Sequence, residues 1–216
     1  NMKLYITTSL LFISLFAESQ INSIRINPNI VLPIDSIESK ALITSLNDFL
    51  LAAQKPNEDN KFIFEHEKIE TFIQLDEING IEKSGKFKDD YFYKPYLTNI
   101  VLLKDNTYLI QLSYIGINEN TALLRASFEF IAHKTNNSYS FSSPLLKNTK
   151  NWKTKKVGNN IFHYKNTINK DKVNEFYKLA ATFDRKLKST NKIIDYYCCD
   201  NLIELEKLIG VEYKAD

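Results

Sequence analysis

"TNIVLLKDNTYLIQLSYIG", residues 98–116, decides the fold. Its apolar and polar side chains alternate with a period of two, the pattern of a half-buried strand and not of a helix. Asp105-Asn106 in the middle tolerates positive φ and reads as the turn between two strands. Beyond that turn Tyr108, Ile110, Leu112 and Tyr114 share one face, with Thr107, Leu109, Gln111 and Ser113 on the other. "ALLRASFEFIAHK" (122–134) continues the alternation, with Leu124, Ala126, Phe128, Phe130 and Ala132 opposite Leu123, Arg125, Ser127, Glu129 and Ile131. Asn136-Asn137 supplies a second turn and "SYSFSS" (138–143) returns. Residues 97–143 are therefore expected to form a meander of at least four antiparallel strands.

Upstream the period changes to 3.6. Leu42, Leu46, Phe49, Leu50 and Ala53 define a helix over 36–54, capped by Asp35 or Ser36 and closed by Pro56. A charge-rich second helix is expected over 65–78, with Ile69, Phe72, Ile73 and Leu75 as its apolar face and Gly80 ending it. Residues 20–34, with Pro28 and Pro33, read as an extended lead-in.

Downstream, residues 147–172 carry eight Lys against one acidic residue, Asp171. Basic residues beside Trp152 suit nucleic-acid contact by charge and stacking. A solvated connector with one aromatic anchor suits them better in an exported chain, and no nucleic-acid partner is expected. The pattern then becomes β-α-β-α: "NIFHY" (160–164), a helix capped by Asn169 or Asp171, "KIIDYYCC" (192–199), and a short helix capped by Asp200 or Asn201. Val173, Phe176, Tyr177, Ala180, Phe183 and Leu187 make one apolar stripe on the first of these helices. Leu202, Leu205, Leu208 and Ile209 serve the second, and Gly210 is placed to end it. Two strands and two helices are too few to close a sheet, which predicts further chain beyond Asp216.

The expected fold class is α+β: N-terminal helices with an antiparallel meander sheet, followed by an incomplete α/β unit. The domains read as a signal peptide (1–19), an α+β domain (20–146), a basic linker (147–158) and the start of a second, truncated domain (159–216).

The bulk numbers agree with a globular chain. Apolar residues make up 44% of the 216 and charged residues 25%, an ordinary globular composition that argues against intrinsic disorder. A formal net charge of +2 gives no global field for nucleic acid or anionic membrane. Asn1, ahead of Met2, is set aside as not a natural start. Lys3, the apolar run Leu4–Phe16 and the small residues Ala17 and Ser19 form the three-part pattern of a secretory signal peptide. The run is too short to span a membrane, and no Cys follows it to carry a lipid, so the protein is expected to be exported and not a lipoprotein. Cys198 and Cys199 are the only cysteines; as strand neighbours they point to opposite faces and make no relaxed disulfide with each other. One thiol is expected in the core and the other against a helix or solvent.

Two resemblances follow from this order of elements. Residues 35–145, helices followed by a twisted meander, resemble the nuclear transport factor 2-like (cystatin-like) cone, in which a helix fills the concave face of the sheet. "NIFHYKNTINKDKVNEFYKLAATFDRKLKSTNKIIDYYCCDNLIELEKLIG" (160–210) resembles the opening of a gluzincin, a thermolysin-related (peptidase MA-like) metallopeptidase domain. The second resemblance implies a zinc-binding His-Glu-x-x-His helix downstream of Asp216, so no ligand or catalytic role falls on any residue here. It also implies a peptide or protein substrate for the longer protein. The pairing resembles some exported bacterial proteins.

No catalytic grouping is legible. His66-Glu67-Lys68-Ile69-Glu70 is a near-miss to the zinc signature, but Glu70 stands where the second imidazole belongs; Glu65, Glu67 and Glu70 read as a solvated helix face. His133 is expected to be exposed or a local hydrogen-bond partner, and His163 a satisfied edge histidine. Asp89-Asp90 lacks further oxygen ligands at regular spacing and reads as a loop. Catalytic and metal-ligating residues are therefore none, and no cofactor is expected within these residues. One binding feature stands out: Tyr91, Phe92, Tyr93 and Tyr96 around Pro95, just before the sheet, form a candidate ligand or docking cluster. The expected function is a non-catalytic N-terminal module of an exported metallopeptidase-like protein, positioning substrate or capping the peptidase. The alternative is an exported ligand- or protein-binding module with no enzymatic activity.

Overall fold

The computed structural model describes residues 24–32, 36–82, 92–188 and 193–215. The expected signal peptide (1–19), the Asp35 cap, Asp89-Asp90 and Tyr91 lie outside these residues, as do parts of the lead-in. The fold is α+β, and the chain divides into two compact units: residues 1–143 with 209–216, and residues 144–208.

The first unit holds β1 (Arg25–Ile26), α1 (Ser36–Ala52), α2 (Lys68–Glu82), β2 (Lys94–Leu102), β3 (Thr107–Asn118), β4 (Thr121–Thr135), β5 (Ser138–Ser142) and β9 (Val211–Lys214). Strands β2 to β5 are the expected antiparallel meander, with the turns where the Asn residues predicted them: Asn106 has φ 57°. The predicted face is the buried one. Ile110, Leu112, Ala126, Phe128, Phe130 and Ala132 are fully buried; Leu124, at the far end of the same row, is exposed. Leu42, Leu46, Phe49 and Leu50 of α1 pack into that face, and the Phe49 ring meets Phe130 edge-on at 5.3 Å and Phe141 at 4.9 Å. Burying these large side chains in one layer is the main stabilising term of the unit.

Helix α2 differs from expectation. Ile69 and Ile73 are exposed, and the buried row is Thr71, Gln74, Leu75, Ile78 and Ile81. Two polar residues sit on the inner face because each meets backbone. Gln74 Nε2 donates to Glu129 O at 2.8 Å, and Thr71 Oγ1 donates to Glu67 O and accepts from Ser143 N. A period count that scores only apolar residues rotates this helix by nearly half a turn. The helix also runs through Gly80 to Glu82.

Strand β9 is the larger correction. Residues 211–214, expected in the second domain, pair antiparallel with β4 in the first sheet, at Ala126, Ser127 and Phe128. Strand β4 is 15 residues long, and its edge away from β3 carries β5 near one end and β9 towards the other.

The second unit holds α3 (Leu145–Asn148), β6 (Lys153–Val157), β7 (Asn160–Tyr164), α4 (Lys170–Leu187), β8 (Ile194–Cys198) and α5 (Leu202–Leu208). The segment read as a basic linker, 147–158, is thus largely helix and strand. Strands β6 and β7 form a hairpin through Gly158-Asn159, and β7 and β8 run parallel with α4 as the crossover. Gly158 has φ 59° at the first turn position, as a type II′ hairpin requires. Asn169 caps α4, accepting from Asp171 N and Lys172 N. At α5 the Asn201 side chain accepts from Glu204 N, and Glu204 reaches back to Asp200 N. The apolar stripe of α4 is covered only in part. Val173 is buried, while Phe176, Phe183 and Leu187 are exposed.

Candidate functional site

In the first unit, helix α1 and the β4–β5 hairpin bring together a carboxylate that three donors share. Glu38 lies in the first turn of α1, where the helix N-terminus favours negative charge. Its Oε1 accepts from Tyr139 Oη at 2.6 Å, Lys134 Nζ at 3.0 Å and Tyr108 Oη at 3.1 Å. Both tyrosine rings are buried edge-on to each other, with centroids 6.1 Å apart, so each hydroxyl needs an internal partner and Glu38 supplies it. The Tyr139 bond, followed by the Lys134 ammonium, holds the Glu38 carboxyl below its usual range. Burial, and then Glu38, push the Tyr139 and Tyr108 hydroxyls up, so both stay protonated as donors.

Beside this carboxylate lies a cavity of about 160 Å³, lined by Ile37, Glu38, Ala41, Lys134, Asn136, Asn137, Ser138 and Tyr139. It is smaller than the few hundred Å³ that hold a typical small-molecule ligand. All three donors use Oε1, which leaves Oε2 as the acceptor for an incoming N–H or O–H. Carboxylate and ammonium compensate each other, so the site suits a neutral polar group better than an ion.

A second polar cluster in the same unit is closed. Glu67, expected on a solvated face, is buried, as is Ser142. The Ser142 hydroxyl donates to Ser143 O at 3.3 Å and lies 2.8 Å from His133 Nε2, and the His133 ring stacks on Phe64 at 3.9 Å. Burial raises the Glu67 carboxyl and lowers His133. A serine between imidazole and carboxylate has the composition of a hydrolytic site. With Ser142 fully buried, no substrate carbonyl reaches it, and the cluster is structural. His66 lies exposed, edge-on to Phe64 at 5.3 Å.

The predicted aromatic cluster is partly described. Phe92 and Tyr93 meet edge-on at 4.9 Å, and the Phe92 ring lies against Gly116, where a Cβ would come within 2.1 Å of it. Tyr96 accepts from Arg25 at 2.8 Å. None of the three lines the Glu38 cavity. Sequence reasoning missed Glu38 and Tyr139 because their partners lie 96 to 101 positions apart in the chain. The available signal was two tyrosines at core-facing strand positions, each needing an acceptor.

In the second unit His163 Nε2 bonds Asp195 Oδ1 at 2.6 Å and its ring stacks on Tyr197, so it is satisfied as expected, but it lies on the central strand of its sheet and not at an edge. Cys198 is exposed and Cys199 half-buried, so neither thiol is in the core; burial raises both. Among the described residues no three His, Cys, Asp or Glu side chains gather as a metal site, and no helix is long and apolar enough to cross a membrane.

Comparison with known proteins finds no matching family model, no matching curated protein and no matching solved structure.

Proposed function

We propose that the chain is a binding module, and that its first unit holds one neutral amide or hydroxyl group of a peptide partner in the Glu38 cavity. The observation that carries this reading is a carboxylate fixed by Tyr139, Lys134 and Tyr108 at the wall of a small opening, with one oxygen to spare. A fixed acceptor needs no reorganisation when a donor arrives, which favours recognition. Asn136 and Asn137 at the rim add amide donors and acceptors.

Export rests on the pattern of residues 1–19. Kinship of the second unit to the opening of a gluzincin rests on the β-α-β-α order, which β7, α4, β8 and α5 have. Under that kinship the cavity would hold a substrate segment for a peptidase encoded further along; the gene sequence past Asp216 tests it, through a His-Glu-x-x-His helix.

The cavity reading is tested by NMR titration of the whole chain with N-acetylglutamine methylamide and with acetamide. Amide shifts confined to 37–41 and 134–139, lost in Glu38→Gln, are expected. Shifts scattered over the surface, or shifts unchanged in that variant, refute it.

A further inference from the structure

We propose that residues 144–208 dock on an anionic lipid surface through the uncovered side of α4. The two units differ sharply in charge. Residues 144–208 hold 14 Lys and Arg against 7 Asp and Glu, whereas the rest of the chain holds 14 against 19. The small overall charge conceals a basic unit of 65 residues.

On that unit α4 presents more apolar surface than its sheet covers. Its 18 residues span about 27 Å at the helical rise. Val173 is buried, and Tyr177 packs over the Gly158 turn. Phe176 touches Phe162 and Tyr196 with one edge and remains 43% exposed. The rest of the stripe goes bare: Leu179 is 54% exposed, Phe183 52% and Leu187 76%. At 100° per residue, Lys172 and Lys186 fall within about 20° of Leu179, one near each end of the row. Lys186 Nζ lies 6.0 Å from the Phe183 ring centroid, which places its charge beside the apolar row. Lys178 and Arg185 occupy the next row, with Asp171 and Glu175 the acidic residues among them.

Charge and shape together select the occupant. A convex aliphatic-aromatic row rimmed by lysines matches the boundary between headgroups and acyl chains, where apolar burial and anionic attraction add. A second copy of this chain would set one basic unit against another. A nucleic acid would meet the lysines and leave Leu179 and Leu187 with nothing to stack on. The inference is independent of the Glu38 cavity.

The test is vesicle flotation of the full chain with phosphatidylcholine alone and with about one-third phosphatidylglycerol added. Binding to the anionic vesicles only, weakening as salt rises, is expected. The double variants Phe183→Ser/Leu187→Ser and Lys172→Glu/Lys186→Glu are each expected to lose at least tenfold. All variants share the apolar Leu4–Phe16 run, so differences between them report α4 alone. Equal binding to both vesicles, unchanged binding by the lysine variant, or no binding at all overturns the proposal. So does retention of a single-stranded oligonucleotide, or self-association in sedimentation, that these substitutions abolish while vesicles go unbound. Replacement of exposed side chains is expected to leave the circular dichroism spectrum intact. If the Ser variant unfolds, the lysine variant decides.

Discussion

The two units solve the same packing problem to different degrees. In the first, α1 lays a full row of side chains into a sheet face, and buried polar side chains such as Thr71, Tyr139 and Ser142 are bonded. In the second, a three-stranded sheet meets one long helix and leaves much of its apolar stripe exposed. Amphipathicity in a sequence therefore reports how much apolar surface a helix has, and says nothing of how much its own domain covers.

The largest expected effect tests this contrast directly. Phe49→Ala removes a fully buried ring that touches Phe130 and Phe141, and is expected to cost about 3–5 kcal/mol in urea unfolding. Phe183→Ala, on the half-covered stripe, is expected to stay within about 0.5 kcal/mol. Equal losses would mean that the α4 stripe is packed as tightly as the core.

The hairpin of the second unit comes next. Gly158 combines φ 59° with a site where a Cβ would lie 2.6 Å from Tyr177. Gly158→Ala is expected to cost about 1–3 kcal/mol and to speed exchange of the β6–β7 amides, read by hydrogen exchange. A neutral result would show that the turn relaxes and that Tyr177 moves freely.

Tyr139→Phe leaves the ring and deletes its bond to Glu38. A loss of about 1.5–3 kcal/mol is expected, the range for hydrogen bonds to a charged acceptor. If Tyr139→Phe matches the wild type, water replaces the hydroxyl and the carboxylate is not held as argued.

These contrasts also separate what the sequence showed from what it withheld. The meander was legible because alternation from Thr107 to Ala132 has a period no helix shares, and because Asn-bearing turns mark its ends. The buried row of α2 was not. Thr71 and Gln74 look solvent-facing until Ser143 and Glu129 are placed beside them, and those partners lie 72 and 55 positions away. Strand β9 was hidden for a related reason. Four residues, "VEYK", carry too little pattern to name their partner, and only the free edge of β4 gives them one. The Glu38 cavity escaped because its chemistry is assembled wholly across the fold. The cluster around Tyr93 was conspicuous instead because its members are adjacent in the chain, which is how a linear reading is biased.

The subtlest test sets the two carboxylates of the first unit against each other by pH. Glu38 has a folded-state value below the ordinary 4.5, so its stabilisation is complete above 4.5 and is lost as pH falls through the lower value. Glu67 has a folded-state value raised by burial, so its contribution is complete below 4.5 and is lost as pH rises through the raised value. His133, held below 6.5 by burial, contributes above 6.5 and loses that contribution as pH falls through its folded value. Glu38→Gln should therefore flatten the acid limb of unfolding free energy against pH. Glu67→Gln should instead steepen the rise between acid and neutral pH by removing an opposing slope. Both changes are small, because each group is one of many that titrate, and their opposite sign is the informative part. Like signs would mean that the Ser142 hydroxyl outweighs burial at Glu67, and the closed cluster would then favour a charged carboxylate as the Glu38 site does.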